Sequence, residues 1–322
     1  MGTTGDGGAL LLADVGGTNS RLALATEAGI LRATLRRRAN DSAAGPEDLI
    51  GGYLAEMAAQ GAPAPGAAVI ALAGPVTDPA RARLTNRPWS FDAQALAAHF
   101  GLGRVLLVND LTAAAAGVPE VPAEGITPLR GGRPAPPLVL VNLGTGFNAA
   151  ALIRTPSGAT VPAPAEAGWA FLPHLADAEA DALSEALAPP GRPAVVEELF
   201  SGVGLRRLAA HLDLPAEPAE LAAQIVSGRG RAGALRPAIA RLFGAVCGDL
   251  AMVHLATGGV VLKGSVAAAL APLVAREEFA AAFAARGPYA GLAGAIPVAL
   301  SADPWLELRG CAVLAGRPGA LV

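Results

Sequence analysis

Lysine is nearly absent from this chain of 322 residues: Lys263 is the only one, and the other basic side chains are arginines. Cysteine is scarce too, because Cys247 and Cys311 are the only two and lie far apart in the sequence. Two such residues exclude a cysteine-rich zinc site and make a reducing compartment the simpler expectation. The four histidines lack the i, i+4 spacing that is typical of metal ligands, so we expect no structural metal.

Long apolar runs and excess positive charge are missing as well. Hydrophobic residues make up 52% of the chain and charged residues 16%, yet no apolar stretch reaches the ~18–20 residues of a membrane span. The N-terminal residues include Asp6 and neither lysine nor arginine, unlike a secretory signal. A net charge of −3 does not favour binding to a nucleic-acid backbone. We therefore expect a cytoplasmic protein without a membrane or nucleic-acid partner.

What the chain does contain is an internal repeat. LLLADVGGTNSRLALA over 10–25 and LVLVNLGTGFNAAALI over 138–153 align at an offset of 128 residues. Each reads as an apolar strand, a polar residue (Asp14 or Asn142), a glycine-rich turn and a second apolar strand. A chain longer than roughly 250–300 residues also tends to divide into two domains. We expect two similar α/β halves, unless two ordinary hairpins resemble each other by chance.

The remaining segments alternate between strand and helix patterns. We predict strands over 67–72, 105–108 and 258–262, and helices over 92–99, 111–116, 233–256 and 303–315. The segment 118–137 is rich in proline and glycine, which indicates a loop that crosses between the domains.

Both glycine-rich turns have the composition of an anion-binding site. In the first, Asp14 precedes Gly16, Gly17, Thr18 and Asn19. Glycines allow close backbone approach to an anion, and a carboxylate can hold Mg²⁺ directly or through water. In the second, glycines again follow a buried strand, at Gly144-Thr145-Gly146. A tight hairpin explains either turn alone, but the pair favours a phosphate site with two sides.

Asp110 lies where an apolar strand ends and an alanine-rich helix begins. A strand end is a rigid support, and a helix N-terminus favours an ionised carboxylate, which suits a group that accepts a proton from a hydroxyl. Asp is also a preferred helix N-cap, and on its own that role is the simpler explanation.

Seven segments, in one order and at similar spacing, resemble the bacterial glucokinases: Asp14–Asn19, Ala71–Thr77, Thr85–Phe91, Val108–Ala113, Pro164–Gly168, Glu197–Gly202 and Gly258–Leu262. The similarity covers nearly the whole chain. It implies the actin and hexokinase fold, with duplicated ribonuclease-H-like halves and a cleft between the domains. One domain would comprise 1–110 with 303–322, and the other 111–302.

The resemblance also implies an activity, transfer of the γ-phosphoryl group of ATP to a hexose, with glucose the leading substrate. Asp110 would be the catalytic base. Asn109, Glu166 and Glu197 would bind other sugar hydroxyls, although a capping amide and two surface glutamates are the plainer interpretations. ATP and Mg²⁺ would be bound by a larger set: Asp14, Gly16, Gly17, Thr18, Asn19, Gly144, Thr145, Gly146 and Gly264.

Two departures from the family pattern leave questions open. Trp169 stands where the family has a sugar-contacting histidine, so it either stacks on the sugar or fills the core. Lys263 is either solvated at a strand end or in contact with a nucleotide phosphate. A kinase for another hexose or a substituted sugar and a non-catalytic sugar-binding homologue are the rival functions, although retention of both Asp14 and Asp110 counts against the latter. The resemblance also leaves a homodimer open.

Overall fold

The computed structural model describes residues 8–215, 217–316 and 319. The chain forms two compact units, Met1–Val121 with Asp303–Val322, and Pro122–Ala302. Each unit has its own six-stranded sheet and its own hydrophobic core. In the described part of the chain, every helix is too short or too polar to span a lipid bilayer.

The first strand is buried along its whole length and apolar except for Asp14, as expected for the centre of a covered sheet. Its elements up to the unit boundary are β1 (Ala9–Val15), β2 (Asn19–Thr26), β3 (Gly29–Ile30), β4 (Arg36–Ala39), α1 (Pro46–Ala59), β5 (Pro65–Leu72), β6 (Arg81–Arg83), β7 (Ser90–Asp92), α2 (Ala93–Phe100), β8 (Arg104–Asn109) and α3 (Asp110–Gly117). The sheet order is β3-β2-β1-β5-β8, with β4 paired to β2.

The second unit contains more helix. Its elements are β9 (Ile126–Arg130), β10 (Leu138–Leu143), β11 (Phe147–Arg154), β12 (Thr160–Pro164), α4 (Ala178–Leu187), α5 (Gly202–His211), α6 (Pro218–Ser227), α7 (Gly230–Ala234), α8 (Arg236–Val253), β13 (Val260–Lys263), α9 (Ser265–Leu270), α10 (Glu277–Ala284), α11 (Ala290–Ala295) and β14 (Val298–Ser301). The sheet order is β12-β11-β10-β13-β14-β9. A final helix, α12 (Leu306–Leu314), belongs to the first unit.

The two sheets share one topology. In the first, β3, β2 and β1 form an antiparallel ribbon, and β5 and β8 continue from β1 as parallel strands. In the second, β12, β11 and β10 form the ribbon, and β13 and β14 continue it in parallel. The structure therefore confirms the internal repeat, and the duplication extends beyond the hairpins to five strands of each sheet.

The boundary between the units differs from the predicted one. The prediction assigned 111–302 to the second domain, whereas the structure keeps α3 and the chain up to Val121 in the first unit. The reason is a close helix crossing: a Cβ added at Gly310 of α12 would lie 1.6 Å from the carbonyl oxygen of Ala113 in α3. Glycine at this crossing allows the two helices to pack against each other.

The segment 118–137 is also more ordered than a crossing loop. It contains β9, which pairs antiparallel with β14 at the edge of the second sheet. The sequence of β9, ITPLR, includes a proline, which weakens a strand pattern and is tolerated mainly in edge strands. The prediction of a loop over the whole segment was therefore wrong for residues 126–130.

Candidate active site

The turn of the first hairpin (β1, its turn and β2) is held through its carbonyl groups. Asn40 donates from Nδ2 to the oxygen of Gly16 (2.7 Å) and from its backbone N–H to the oxygen of Thr18 (2.8 Å). Arg87 Nε donates to the oxygen of Gly17 (3.1 Å). The C=O and N–H of one trans peptide unit point in opposite directions. The N–H groups of Gly17 and Thr18 therefore point away from Asn40 and Arg87, as a turn that binds an anion requires.

Asn40 and Arg87 are functional candidates that sequence reasoning missed. Asn40 is fully buried, and its Oδ1 accepts a hydrogen bond from Ser20 Oγ (2.7 Å). Arg87 lies 4.8 Å from the centre of the Trp89 ring and forms an ion pair with Asp41. The signal for Arg87 was present, because it belongs to one of the seven segments that carry the family resemblance. A lone asparagine after an edge strand gives no comparable signal.

Asp14 lies near the end of β1, only 6% exposed, and its Oδ2 is 2.6 Å from Arg21 Nη1. Arg21 is its cross-strand neighbour on β2. Across residues 8–215, 217–316 and 319, no group of three or more His, Cys, Asp or Glu side chains could hold a metal ion. One carboxylate suits a hydrated Mg²⁺, which keeps several waters and takes its other oxygens from phosphates. The magnesium site at Asp14 stays a prediction, and a hydrated ion there would share the carboxylate with Arg21.

Three predicted segments of the first unit follow the carboxyl ends of neighbouring parallel strands, β1, β5 and β8. Val15 at the end of β1 is in register with Leu72 of β5, and Leu72 is in register with Asn109 of β8. The carboxyl ends of parallel strands thus bring the first turn, the loop after Leu72 and Asp110 to one side of the sheet, where ligands of α/β sheets bind.

The helix cap at this edge is Asn109 and not Asp110. Asn109 Oδ1 accepts hydrogen bonds from the backbone N–H (3.0 Å) and the hydroxyl (3.2 Å) of Thr112. Its Nδ2 donates to the oxygen of Gly74 (3.0 Å) and to Asp110 Oδ1 (3.1 Å). The capping role that the sequence left open for both residues therefore applies to Asn109. Its role in sugar binding stays a prediction, and a sugar hydroxyl would have to share these partners.

Asp110 is partly buried at the first position of α3. Its Oδ1 accepts hydrogen bonds from the N–H of Leu111 (2.7 Å) and from Asn109. Both donors belong to the start of the helix, and they orient the carboxylate. The residue is oriented by its neighbours and caps no helix.

The turn of the second hairpin (β10, its turn and β11) is held in a related way by α5. The N–H groups of Gly202 and Val203, at the start of α5, donate to the oxygens of Gly144 (2.8 Å) and Thr145 (3.4 Å). By the same peptide geometry, the N–H groups of Thr145 and Gly146 point away from α5. Thr145 is exposed, as Thr18 is in the first turn. Both predicted phosphate turns therefore have the backbone arrangement that anion binding needs.

Two predicted sugar-binding glutamates lie against the second hairpin. Glu197 Oε2 accepts a hydrogen bond from the N–H of Phe147 (3.2 Å) and lies close to Gly146 and Gly168, where a Cβ would be 3.1 and 3.2 Å away. Glu166 is exposed, and its Oε2 accepts from Asn148 Nδ2 (3.2 Å). The structure brings both carboxylates to the same hairpin through partners on β11. Asn148, which positions Glu166, was not predicted.

Glu198, the neighbour of Glu197, has a structural role. It is 7% exposed and forms ion pairs with Arg192 (2.9 Å) and Arg207 (2.6 Å). Burial alone would raise the pKa of Glu198, but the hydrogen bond from the Val195 N–H and the two arginines outweigh it and hold that pKa below its ordinary value. Of the two adjacent glutamates, only Glu197 faces the turn.

The remaining predicted residues lie beside the second hairpin. Gly264 has a φ of +102°, and a Cβ there would be 2.3 Å from the oxygen of Leu143, so the chain passes directly over the end of β10. Lys263 is the register partner of Asn142 at the same strand ends. Trp169 is 63% exposed, which excludes the interpretation as core filler. The contact of Lys263 with a nucleotide stays a prediction.

Comparison with known proteins gives one family. The sequence model of the family described as Glucokinase matches residues 11–317. The chain is 32% identical over 313 residues to a glucokinase of Cupriavidus pinatubonensis, covering 94% of this chain and 90% of that protein. It is 34% identical over 313 residues to a glucokinase of Chromobacterium violaceum, with 94% and 88% covered. The crystal structure of a glucokinase from an Antarctic psychrotroph superposes with a TM-score of 0.82 at 24% identity, covering 96% of this chain and 98% of that one.

Proposed function

The chain belongs to the glucokinase family, and from that premise we propose that it transfers the γ-phosphoryl group of ATP to the 6-hydroxyl of D-glucose, with Asp110 as the catalytic base. The predicted family, fold class and enzyme class, a sugar kinase, are confirmed by the comparisons. The reaction of such a kinase needs a base for the sugar hydroxyl, alignment of the two substrates and neutralisation of phosphate charge.

The observation that supports Asp110 as the base is the division of labour at the start of α3. Asn109 caps the helix and also donates to the carboxylate, so Asp110 has no capping duty. A carboxylate that is oriented by two donors at a strand end can accept the proton of an attacking hydroxyl, a role worth roughly 10²–10⁴-fold in rate.

The other roles are divided between the units. The first turn, Gly16–Asn19, and the second turn, Gly144–Gly146, would donate backbone N–H groups to the phosphates. Mg²⁺, when bound, neutralises phosphate charge, and Asp14 would hold it through water. Glu166 and Glu197 would accept hydrogen bonds from sugar hydroxyls, and Gly264, which packs on the oxygen of Leu143, would lie beside the nucleotide.

The proposal also covers the pathway, the location, the oligomeric state and the choice of sugar. A place in glycolysis, a cytoplasmic location and a homodimer stay predictions. A hexose other than glucose, or a substituted sugar, is the second candidate substrate, because Trp169 replaces a histidine of the family pattern and is exposed. A non-catalytic homologue is disfavoured by the orientation of Asp110.

The decisive experiment is an ADP-release assay with a panel of hexoses. We expect turnover of at least one hexose, and a loss of at least about 10²-fold in kcat for Asp110→Asn with little change in thermal stability. The matched control is Asp92→Asn in the same unit. Asp92 also lies between a strand and a helix, but it is a true N-cap that accepts from Gln94 and Ala95. Full activity of Asp110→Asn, or an equal loss in both variants, would remove the assignment.

A further inference from the structure

Two large aromatic side chains are exposed next to the glutamates of the second unit. Trp169 is 63% exposed and Phe171 60% exposed. The chain has only three tryptophans, and the other two are shielded: Trp89 is 5% exposed and Trp305 is partly buried. Apolar surface of this kind, bordered by polar groups, is typical of a binding site.

The backbone fixes these aromatic residues between Glu166 and Glu197. The N–H of Trp169 donates to the oxygen of Glu166 (3.1 Å), which closes a short 3-10 turn over Ala167–Trp169. The next residues are then tied to the chain that leads into Glu197. The N–H of Val196 donates to Ala170 (2.9 Å), and Phe171 forms a β-bridge with Val195.

Trp169 and Phe171 are two positions apart in a segment that becomes extended at Ala170. Trp169 ends the 3-10 turn, Phe171 forms the bridge with Val195, and both side chains are exposed. Gly168 allows this segment to pack closely on the second hairpin, because a Cβ at Gly168 would lie 2.3 Å from the oxygen of Phe147. The segment is thus pressed against the second hairpin while its two aromatic side chains stay in solvent.

A pyranose ring with equatorial hydroxyls has two kinds of surface. Its hydroxyls point outward around the rim, and its C–H bonds form apolar faces above and below the ring. Carboxylates suit the rim, and an indole ring, with a large apolar surface and a single N–H donor, suits a face.

We propose that Trp169 packs against the apolar face of the bound hexose, and that Phe171 extends this surface to an apolar substituent on the sugar. The inference rests on the proposed function, since it uses the same glutamates. It makes Trp169 a specificity-determining residue and assigns the site a substrate class that includes hexoses with an alkyl or aryl substituent away from the 6-hydroxyl.

The first test is fluorescence quenching by acrylamide, because Trp169 is the most accessible tryptophan. Saturating glucose without nucleotide should protect the emission from quenching. Trp169→Phe should remove the protected component, and Trp305→Phe, the control, should keep it. If calorimetry shows bound glucose while quenching of the wild-type protein is unchanged, the proposal is wrong.

The second test separates binding from chemistry. Trp169→Ala should raise the KM for glucose roughly 3–10-fold at nearly constant kcat, the range expected for loss of one stacking contact. Trp169→Phe should restore most of the affinity, because a ring surface returns. Phe171→Ala should affect phenyl β-glucoside more than glucose. An unchanged KM for both sugars in both alanine variants would overturn the proposal.

These outcomes are distinguishable from failure of the kinase assignment. If a sugar protects Trp169 from quenching but no phosphoryl transfer is detected, the contact between Trp169 and the sugar is supported and the kinase assignment is rejected. Turnover of glucose with unchanged quenching of Trp169 would support the kinase assignment and reject the contact between Trp169 and the sugar.

Discussion

The first and second hairpins share one backbone plan and differ in what surrounds it. In both, the carbonyl groups of the turn are held by hydrogen bonds, so that N–H groups point the other way. The first turn is held by the side chain and the backbone N–H of Asn40 and by the side chain of Arg87, and it carries the ion pair of Asp14 and Arg21. The second is held by the backbone of α5 and has neutral Asn142 and Asn148 at the strand ends.

The two hairpins therefore share a backbone arrangement and differ in the side chains at the strand ends. The end of the first hairpin carries a carboxylate paired with a guanidinium, whereas the matching positions of the second hairpin are neutral amides near the carboxylates of Glu166 and Glu197. The second turn is also one residue shorter: three residues separate Leu143 from Phe147, and four separate Val15 from Ser20.

The largest expected effect comes from a close backbone contact with the second hairpin, at Gly264. Gly264→Ala should lower the free energy of unfolding by about 3 kcal/mol, because the residue has a positive φ and its Cβ would overlap the oxygen of Leu143. Gly17→Ala, within the turn of the first hairpin, is the comparison, because a Cβ there would meet only Asn86 Cβ at 3.4 Å. It should change stability by less than about 1 kcal/mol and still raise the KM for ATP. Equal losses of stability in Gly264→Ala and Gly17→Ala, measured by chemical denaturation, would show that the chain packs equally closely at both positions.

A smaller effect should follow from exchanging the charge between the hairpins. Asp14→Asn should lower activity about 10–100-fold, the usual loss when a group that holds a metal through water is removed, and should raise the Mg²⁺ concentration needed for half-maximal rate. The mirror change, Asn142→Asp, places a carboxylate at the matching position of the second hairpin. Adding it to Asp14→Asn should not restore activity. Rescue by the double variant in a magnesium titration would mean that the two strand ends are interchangeable.

Much of the fold could be predicted from the sequence, because alternating apolar runs and glycine turns are local signals. The repeat at 10–25 and 138–153, the strand before Asp110 and the helix beginning near Leu306 all follow from such patterns. The unit boundary could not be predicted, because it depends on Gly310 lying against Ala113, nearly 200 residues earlier in the chain. β9 was missed because its proline and short length resemble a loop.

Some residues of the candidate site could likewise be predicted from the sequence, and others could not. Residues that lie within a motif, such as Asp14, Asp110 and Glu197, are indicated by the sequence alone. Asn40, Arg87 and Asn148 act through contacts between separate segments. Arg87 lies in a segment of the family resemblance, but no local pattern indicates which group any of the three contacts. The sequence also left the cap at α3 undecided, because Asn and Asp are almost equally good caps and only the side-chain directions distinguish them.

The smallest expected effect sharpens the comparison at the second hairpin, where Glu197 and Glu198 are adjacent but face different surroundings. Glu197→Gln should raise the KM for glucose with little change in stability, whereas Glu198→Gln should cost roughly 1–2 kcal/mol of stability at neutral pH and leave the KM unchanged. The exposed Glu185 on α4 provides the control, Glu185→Gln, which should alter neither quantity.

Acid unfolding tests the same pair through the pKa of Glu198. That pKa lies below its ordinary value of 4.5 in the folded chain, since the Val195 N–H and the two arginines outweigh burial. The unfolded chain therefore binds the proton more readily than the folded chain does. The stability that Glu198 contributes is complete above the ordinary pKa, and it is lost as the pH falls through the pKa of the folded chain. Wild type and Glu198→Gln should thus differ most near neutral pH and converge in acid. A difference in unfolding free energy that stays constant from neutral pH down through this range would show that the charge of Glu198 does not stabilise the segment behind Glu197.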